Sequence, residues 1–291
     1  MTALTSTRGS STIRRAPRPR VIVSHVALIA GALLMAYPVL WMLSSSLKPE
    51  AEIFNNLSLV PSEVTLDNYT EGWTGLGMPF GVFLWNSLVV CVVSVVANCA
   101  SCLVTAYAFA RMELPLRWLW FPLMLMTIML PLHVTILPQY IVFNQLGWVG
   151  TFLPLIVPKL LAVDAFFVYL MVQFMRSLPR ELDDAASIDG CGPFRTFSRI
   201  IVPLMVPALV TTAIFTFLWT WSDFFSQLLY LGSNQGLFTV PVALASFIDA
   251  TTSSSWGQLL SMSVVSLIPV VAFFAVFQRW ILDGVSTTGI K

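Results

Sequence analysis

Six apolar stretches, at 21–45, 82–110, 118–141, 151–175, 203–230 and 258–282, are joined by links that alternate strictly between basic and non-basic. Each stretch reaches the roughly 20 residues needed to cross a bilayer. Inside lipid a backbone must satisfy its own polar groups, so spans of this kind are helices. Lys and Arg collect on the cytoplasmic side of a membrane protein. Arg8, Arg14, Arg15, Arg18 and Arg20 precede the first stretch, and Arg111 and Arg117 join the second to the third. Arg176, Arg180, Arg195 and Arg199 lie between the fourth and fifth, and Arg279 and Lys291 close the chain. After the first stretch Lys48 stands alone against Glu50, Glu52, Glu63, Asp67 and Glu71, and the two remaining links have no basic residue. This pattern predicts an all-α, polytopic protein with six transmembrane helices and both termini cytoplasmic. Its organisation is a tail at 1–20, a membrane body at 21–282 and a tail at 283–291.

Composition agrees with lipid as the main solvent. The 291 residues are 57% hydrophobic and only 10% charged, against roughly 25% charged in soluble domains. A net charge of +1 argues against nucleic acid as a partner. Cys91, Cys99 and Cys102 fall within one apolar run and Cys191 in a polar link, which predicts free thiols. The Cys99/Cys102 pair has no second ligand pair and reads as packing. The run beginning at 21 lacks a small-residue cleavage site, so it reads as a retained span. Pro38, Pro122, Pro131, Pro138, Pro154, Pro158 and Pro269 lie in the apolar stretches and imply kinks or breaks.

The link at 177–203 is the most polar segment near the body's centre, with Glu181, Asp183, Asp184, Asp189, Arg195 and Arg199. It predicts a helix starting at Ser177 or Leu178, with Pro179 in its first turn and Glu181 and Asp183 opposing the positive end of the helix dipole. Gly190 suits a left-handed cap. Gly192 and Pro193 restart a second helix whose Phe194, Phe197, Ile200 and Ile201 recur at helical spacing. An amphipathic linker shielding the span ends is one reading. Its length and its combination of small residues, acids and a glycine turn favour docking into a groove of another protein.

The stretch DDAASIDGCGPFRTFSRIIVPLMVPAL resembles the EAA loop of ATP-binding-cassette importer permeases. Asp184, Ala185 and Ala186 take the Glu-Ala-Ala places, Asp189 and Gly190 the Asp-Gly places, and Ile200, Val202 and Pro203 the Ile-x-Leu-Pro places. Asp184 is one methylene shorter than Glu, and Cys191 stands where Ala is usual. SSSLKPEAEIF, PSEVTLDNY, WTWSDFF and FQRWILDGVSTTGIK are similar to the carbohydrate branch, in the subunit type of the second permease of maltose-type importers. Ser222 departs from the usual Asn of the WTWSDFF signature. The resemblance implies a type I importer permease fold in a bacterial cell membrane, as half of a pathway for a sugar or sugar-like solute. It implies a second, homologous permease as heterodimer partner, two copies of a cytoplasmic ATPase that carry the ATP and Mg, and an extracytoplasmic solute-binding protein. No G-x-x-x-x-G-K-[ST] motif occurs here, so the energy is expected from a partner; the resemblance implies a non-catalytic subunit with no cofactor of its own.

Polar residues in the spans are candidate path or inter-permease residues: Trp219, Trp221, Asp223, Asn86 and Gln139. Asp223 either accepts solute hydroxyls beside aromatic faces or pairs with the partner permease or a backbone group. Lys159 and Asp164 either pair across a bend near Pro158 or line the path. Asn98 and Gln227 either line the path or bond helices together, the commoner role, and His133 reads as structural. In the last non-basic link, Phe247, Asp249 and Trp256 either contact the binding protein or belong to a solvated loop. A secondary transporter or channel without an ATPase is the rival class, but no internal repeat is visible. An intramembrane enzyme or metal site would need a constellation that His25 and a lone His133 do not form.

Overall fold

Apolar content this high leaves the backbone little choice but to bond to itself, and the described chain contains helices and no strand. The computed structural model describes residues 19–232, 234–248 and 255–286. Arg8, Arg14, Arg15, Arg18, Asp249 and Lys291 lie outside the described residues. In order, α1 (Pro19–Ser45) leads through a 3-10 turn (Glu50–Glu52) to α2 (Asp67–Thr74) and α3 (Phe80–Arg111). Next come α4 (Arg117–Thr127), α5 (Leu132–Gln145), α6 (Leu153–Leu160), α7 (Ala165–Ser177) and α8 (Glu181–Ile188). Then α9 (Pro193–Thr196) runs through a π-helical turn (Phe197–Ile201) into α10 (Val202–Leu204) and α11 (Val206–Ser222). The chain continues with α12 (Phe225–Leu231), a 3-10 turn (Gln235–Leu237), α13 (Val240–Ala245) and α14 (Trp256–Ser286).

Among the described residues, four helical stretches are long and apolar enough to cross a membrane: Val23–Ser45, Phe80–Arg111, Leu153–Ser177 and Trp256–Gln278. A fifth exists if the pair Pro193–Leu204 and Val206–Ser222, bent by 71°, counts as one span. The expected third span at 118–141 is divided instead. Pro131 has no N–H to continue a helix and holds its neighbour out of the helical region. The N–H groups of Ile128, Met129 and Leu130 turn back to Leu125, Met126 and Thr127, and α5 restarts after Pro131. Pro38, Pro122, Pro138, Pro158 and Pro269 sit inside helices. Pro154 occupies a first-turn position.

α3 is the axis of the molecule, packed against α6, α7 and α11. At one end Cys102, Leu103, Ala106 and Ala110 meet Phe167, Met171, Met175, Ile201 and Met205. Small residues on α3 let α7 approach closely. At the other end Phe80, Phe83 and Cys91 meet Phe217, Trp221, Phe247 and Met262. All four cysteines are free thiols.

The link at 46–78 closes over the second end. Lys48 is fully buried, and its ammonium donates to the carbonyls of Asn56 and Ser58, each at 2.7 Å. The Ser62 backbone N–H holds the Glu52 carboxyl below its ordinary value. Glu50 accepts from the first N–H groups of α14, Trp256 at 2.9 Å and Gly257 at 2.7 Å, where the helix dipole favours an anion. A Cβ on Gly257 would collide with Asn68 Oδ1 and stand 2.9 Å from Glu50 Oε2. Gly257→Ala is therefore expected to destabilise the protein by about 1–3 kcal/mol, read as a lower midpoint in thermal unfolding in detergent.

Candidate functional site: the polar link between α7 and α11

The helix in this link begins later than the sequence suggests. α7 runs on to Ser177, and Leu178 is extended because Pro179 follows it. α8 then starts at Glu181, with Glu181, Asp183 and Asp184 in its first turn. Its end carries two bonds that define a Schellman cap. The Gly190 N–H donates to the Ser187 carbonyl at 3.1 Å and the Cys191 N–H to the Ala186 carbonyl at 2.9 Å. Gly190 has φ +75°, where a side chain costs about 1–2 kcal/mol. No neighbouring atom lies within 4 Å of where its Cβ would be, so the backbone alone demands glycine there.

Pro193 opens α9 at a first-turn position. The π-helical turn that follows inserts a residue into the helical register. Ile201 is fully buried and Phe197 packs on the core, while Phe194, in the turn before it, is 81% exposed. The single apolar face expected from Phe194, Phe197, Ile200 and Ile201 is thus split. On α8 Ile188 is 86% exposed. Asp184, Ala185, Asp189 and Gly190 are exposed beside it, as is Pro203, with Ile200 half-buried. Ala186 points the other way and is buried.

Two side chains one turn apart on α3 support this link. The Arg111 guanidinium lies 3.3 Å from the Asp183 carboxylate and donates to the carbonyls of Met175 and Leu178 at 3.1 and 2.9 Å. Tyr107 stacks at a tilt on Phe197 with centroids 4.8 Å apart, and its hydroxyl donates to the Pro193 carbonyl at 3.5 Å. A shallow concavity of about 300 Å³ lies among Tyr107, Arg111, Asp183, Asp184 and Pro193. The sequence marked Arg111 only as a cytoplasmic charge. Its place, last on an apolar helix and four residues after Tyr107, is the signal that a closer reading could have used.

The intramembrane candidates separate into two groups. Trp221 is buried and stacks on Phe217, Asn86 donates to the carbonyls of Gly236 and Phe238, and Asn98 donates to Thr216 on α11. Gln227 accepts from Thr239 and donates to the Thr220 carbonyl. All of these hold helices and loops together. Trp219, by contrast, is 52% exposed among Phe166, Phe167 and Phe215. Gln139 is exposed and accepts from the Tyr230 hydroxyl, and exposed His133 lies against Phe225. Phe247 is buried in the core, and Trp256 packs edge-on against Phe54.

The helix breaks gather the remaining charges. Lys159 Nζ and Asp164 Oδ2 pair at 2.7 Å across the break between α6 and α7, where Ala162 takes φ +52°. Asp223 ends α11, and its Oδ1 accepts from the Ser226 N–H at 3.1 Å as α12 begins. Both partners of the Lys159–Asp164 pair are about a quarter exposed (26% and 23%), so it is worth less than a sealed pair. Lys159→Met is expected to lower stability by about 1–2 kcal/mol, and the double change Lys159→Met with Asp164→Leu to recover most of it. Thermal unfolding of the three variants in detergent checks this.

Residues 102–287 match the family model described as binding-protein-dependent transport system inner membrane component. The chain is 33% identical over 266 residues to the arabinooligosaccharides transport system permease protein AraQ of Halalkalibacterium halodurans, covering 89% of this chain and 92% of the relative. It is 31% identical to the osmoprotective compounds uptake permease protein GgtD of Synechocystis, covering 98% and 97%. It is 28% identical to the sn-glycerol-3-phosphate transport system permease protein UgpE of Brucella abortus, covering 92% and 96%. Its fold is similar to a chain in the crystal structure of a bacterial ABC transporter involved in the import of the acidic polysaccharide alginate. That match has a TM-score of 0.78, 20% identity, and covers 94% of this chain and 99% of the other.

Proposed function

Because the chain belongs to the family of binding-protein-dependent transport system inner membrane components, a multi-pass inner-membrane protein, we propose that it forms half of the pathway of an ATP-binding-cassette importer for a sugar or sugar-like solute. In this reading the link at 177–203 is the coupling loop. The observation that carries it is the exposed face made by Asp184, Ala185, Ile188 and Phe194 on a helix–turn–helix whose inner side is fixed to α3. Two large apolar side chains more than four-fifths exposed, on a segment too polar to enter lipid, call for a protein groove. Asp184, Ala185, Asp189 and Gly190 hold the positions that the resemblance assigns to contact with the ATPase.

The remaining assignments follow from that one. The chain crosses the membrane six times with both ends cytoplasmic, α4 and α5 together making the third crossing through a break at Pro131. A second, homologous permease completes the pathway, two ATPase copies hold the ATP and Mg, and a solute-binding protein delivers solute to the opposite face. Exposed Trp219 with Phe166 and Phe215 supplies an aromatic surface toward the path or the partner permease. A polyhydroxylated solute fits the names carried by the relatives, which specify arabinooligosaccharides and sn-glycerol-3-phosphate.

Uptake of a panel of labelled sugars and polyol phosphates, in cells with and without the gene, tests the solute class. Loss of ATP-dependent uptake of at least one member is expected on deletion. Unchanged uptake across the whole panel would remove the sugar assignment.

A further inference from the structure

Arg111 does more at the end of α3 than place a charge at the membrane surface. An arginine that snorkels keeps its guanidinium in water, but this side chain is 6% exposed. Its planar fork reaches the Met175 and Leu178 carbonyls at the end of α7 and the Asp183 carboxylate in the first turn of α8. One turn earlier, Tyr107 holds the other arm of the loop through Phe197 and the Pro193 carbonyl. Buried Ala106 and Ala110, each preceding one of the two, let α3 lie close against Met175 and Ile201. At its far end α3 is tied as firmly: Asn86 donates to the Gly236 and Phe238 carbonyls, and Ser87 accepts from the Val240 N–H.

We propose that Arg111 is a positioning residue for energy coupling, fastening the coupling loop to α3 so that the two move as one rigid strut. The idea rests on the reading of the 177–203 link as the ATPase-facing loop and adds to it the element that receives the motion. Displacement of α8 then arrives directly at the Asn86 and Ser87 end of α3. Without the guanidinium, α8 keeps its own cap at Gly190 and remains a helix, but it slips relative to α3. Lys at this position supplies a point charge without the fork, and restores only part of the link.

The test uses the full chain, purified with its partners into lipid nanodiscs, with genetically encoded spin-label residues replacing exposed Glu181 on α8 and exposed Trp85 on α3. Electron–electron distances are measured without nucleotide and after trapping with ATP and vanadate. The wild-type pair is expected to give one narrow distribution with the same mean in both states. Arg111→Ala is expected to broaden or split it on trapping, with Arg111→Lys in between. Asp183→Asn, which keeps the carbonyl bonds, is expected to broaden it partially and covers the case in which Arg111→Ala fails to accumulate. A wild-type mean that shifts on trapping, or a variant as narrow as wild type in an ATP-hydrolysing complex, overturns the strut alone. A wild-type preparation without any ATPase overturns the underlying reading and the strut with it.

Discussion

Gly190→Pro is expected to abolish solute uptake while leaving the protein in the membrane at normal abundance. Two effects act together at this residue. Gly190 sits at φ +75°, whereas proline is locked near −65°. Its N–H also donates to the Ser187 carbonyl, and proline has none to give. The cap of α8 is lost at a cost of about 3 kcal/mol, and the turn that aims α9 away from α8 is lost with it. Insertion survives because Gly190 is exposed and belongs to neither of the cores packed around α3. Gly190→Ala meets only the left-handed penalty of about 1–2 kcal/mol and is expected to reduce uptake without abolishing it. Uptake assays paired with immunoblots of isolated membranes check both. Wild-type uptake in Gly190→Pro would contradict the coupling role.

Phe194→Glu is expected to weaken association with the ATPase by about 30-fold or more, the effect of losing about 2 kcal/mol at an aromatic anchor. Phe194 is 81% exposed, so the change removes little packing inside the chain, and stability should stay within about 0.5 kcal/mol of wild type. Ile188→Glu, at 86% exposure, should act in the same direction. Phe197→Glu should behave differently, because Phe197 packs on the core against Tyr107. That variant is expected to lower stability as well as association. Titration of purified permease complex with the ATPase, alongside thermal unfolding, separates surface loss from core damage.

Much of the fold was legible because lipid imposes one periodicity and one minimum length. α1, α3 and α14 sit where unbroken apolar runs require helices. The breaks were harder to read. Pro38 and Pro269 sit inside continuous helices, whereas Pro131 coincides with a break. A proline reports a missing N–H but not whether neighbouring helices compensate for it. Within the loop, the Gly190 cap and the Pro193 restart were legible, because both depend on local backbone chemistry. The exposure of Phe194 beside the packed Phe197 was not, because Phe197 is covered by Tyr107 of α3, a residue far away in the chain. Asn86, Trp221 and Phe247 had the residue types of a path or docking surface, and the structure puts all three in packed surroundings. Burial of a polar or aromatic residue depends on what lies across from it, which sequence spacing does not record. Glu50 and Arg111 were read as charges in links, and they serve as the cap of α14 and the clamp on α7. Both roles come from residues far apart in the chain.

A separate ATPase that grips the 177–203 link is expected to drive this chain. Purification of the tagged chain in mild detergent tests it most directly, with the copurifying polypeptides identified and their ATP hydrolysis measured. A stoichiometric partner carrying a G-x-x-x-x-G-K-[ST] nucleotide loop is expected, retained by the wild-type chain and lost from Gly190→Pro and Phe194→Glu. Recovery of the intact chain with no ATP-hydrolysing partner, or equal retention by all three proteins, would contradict it.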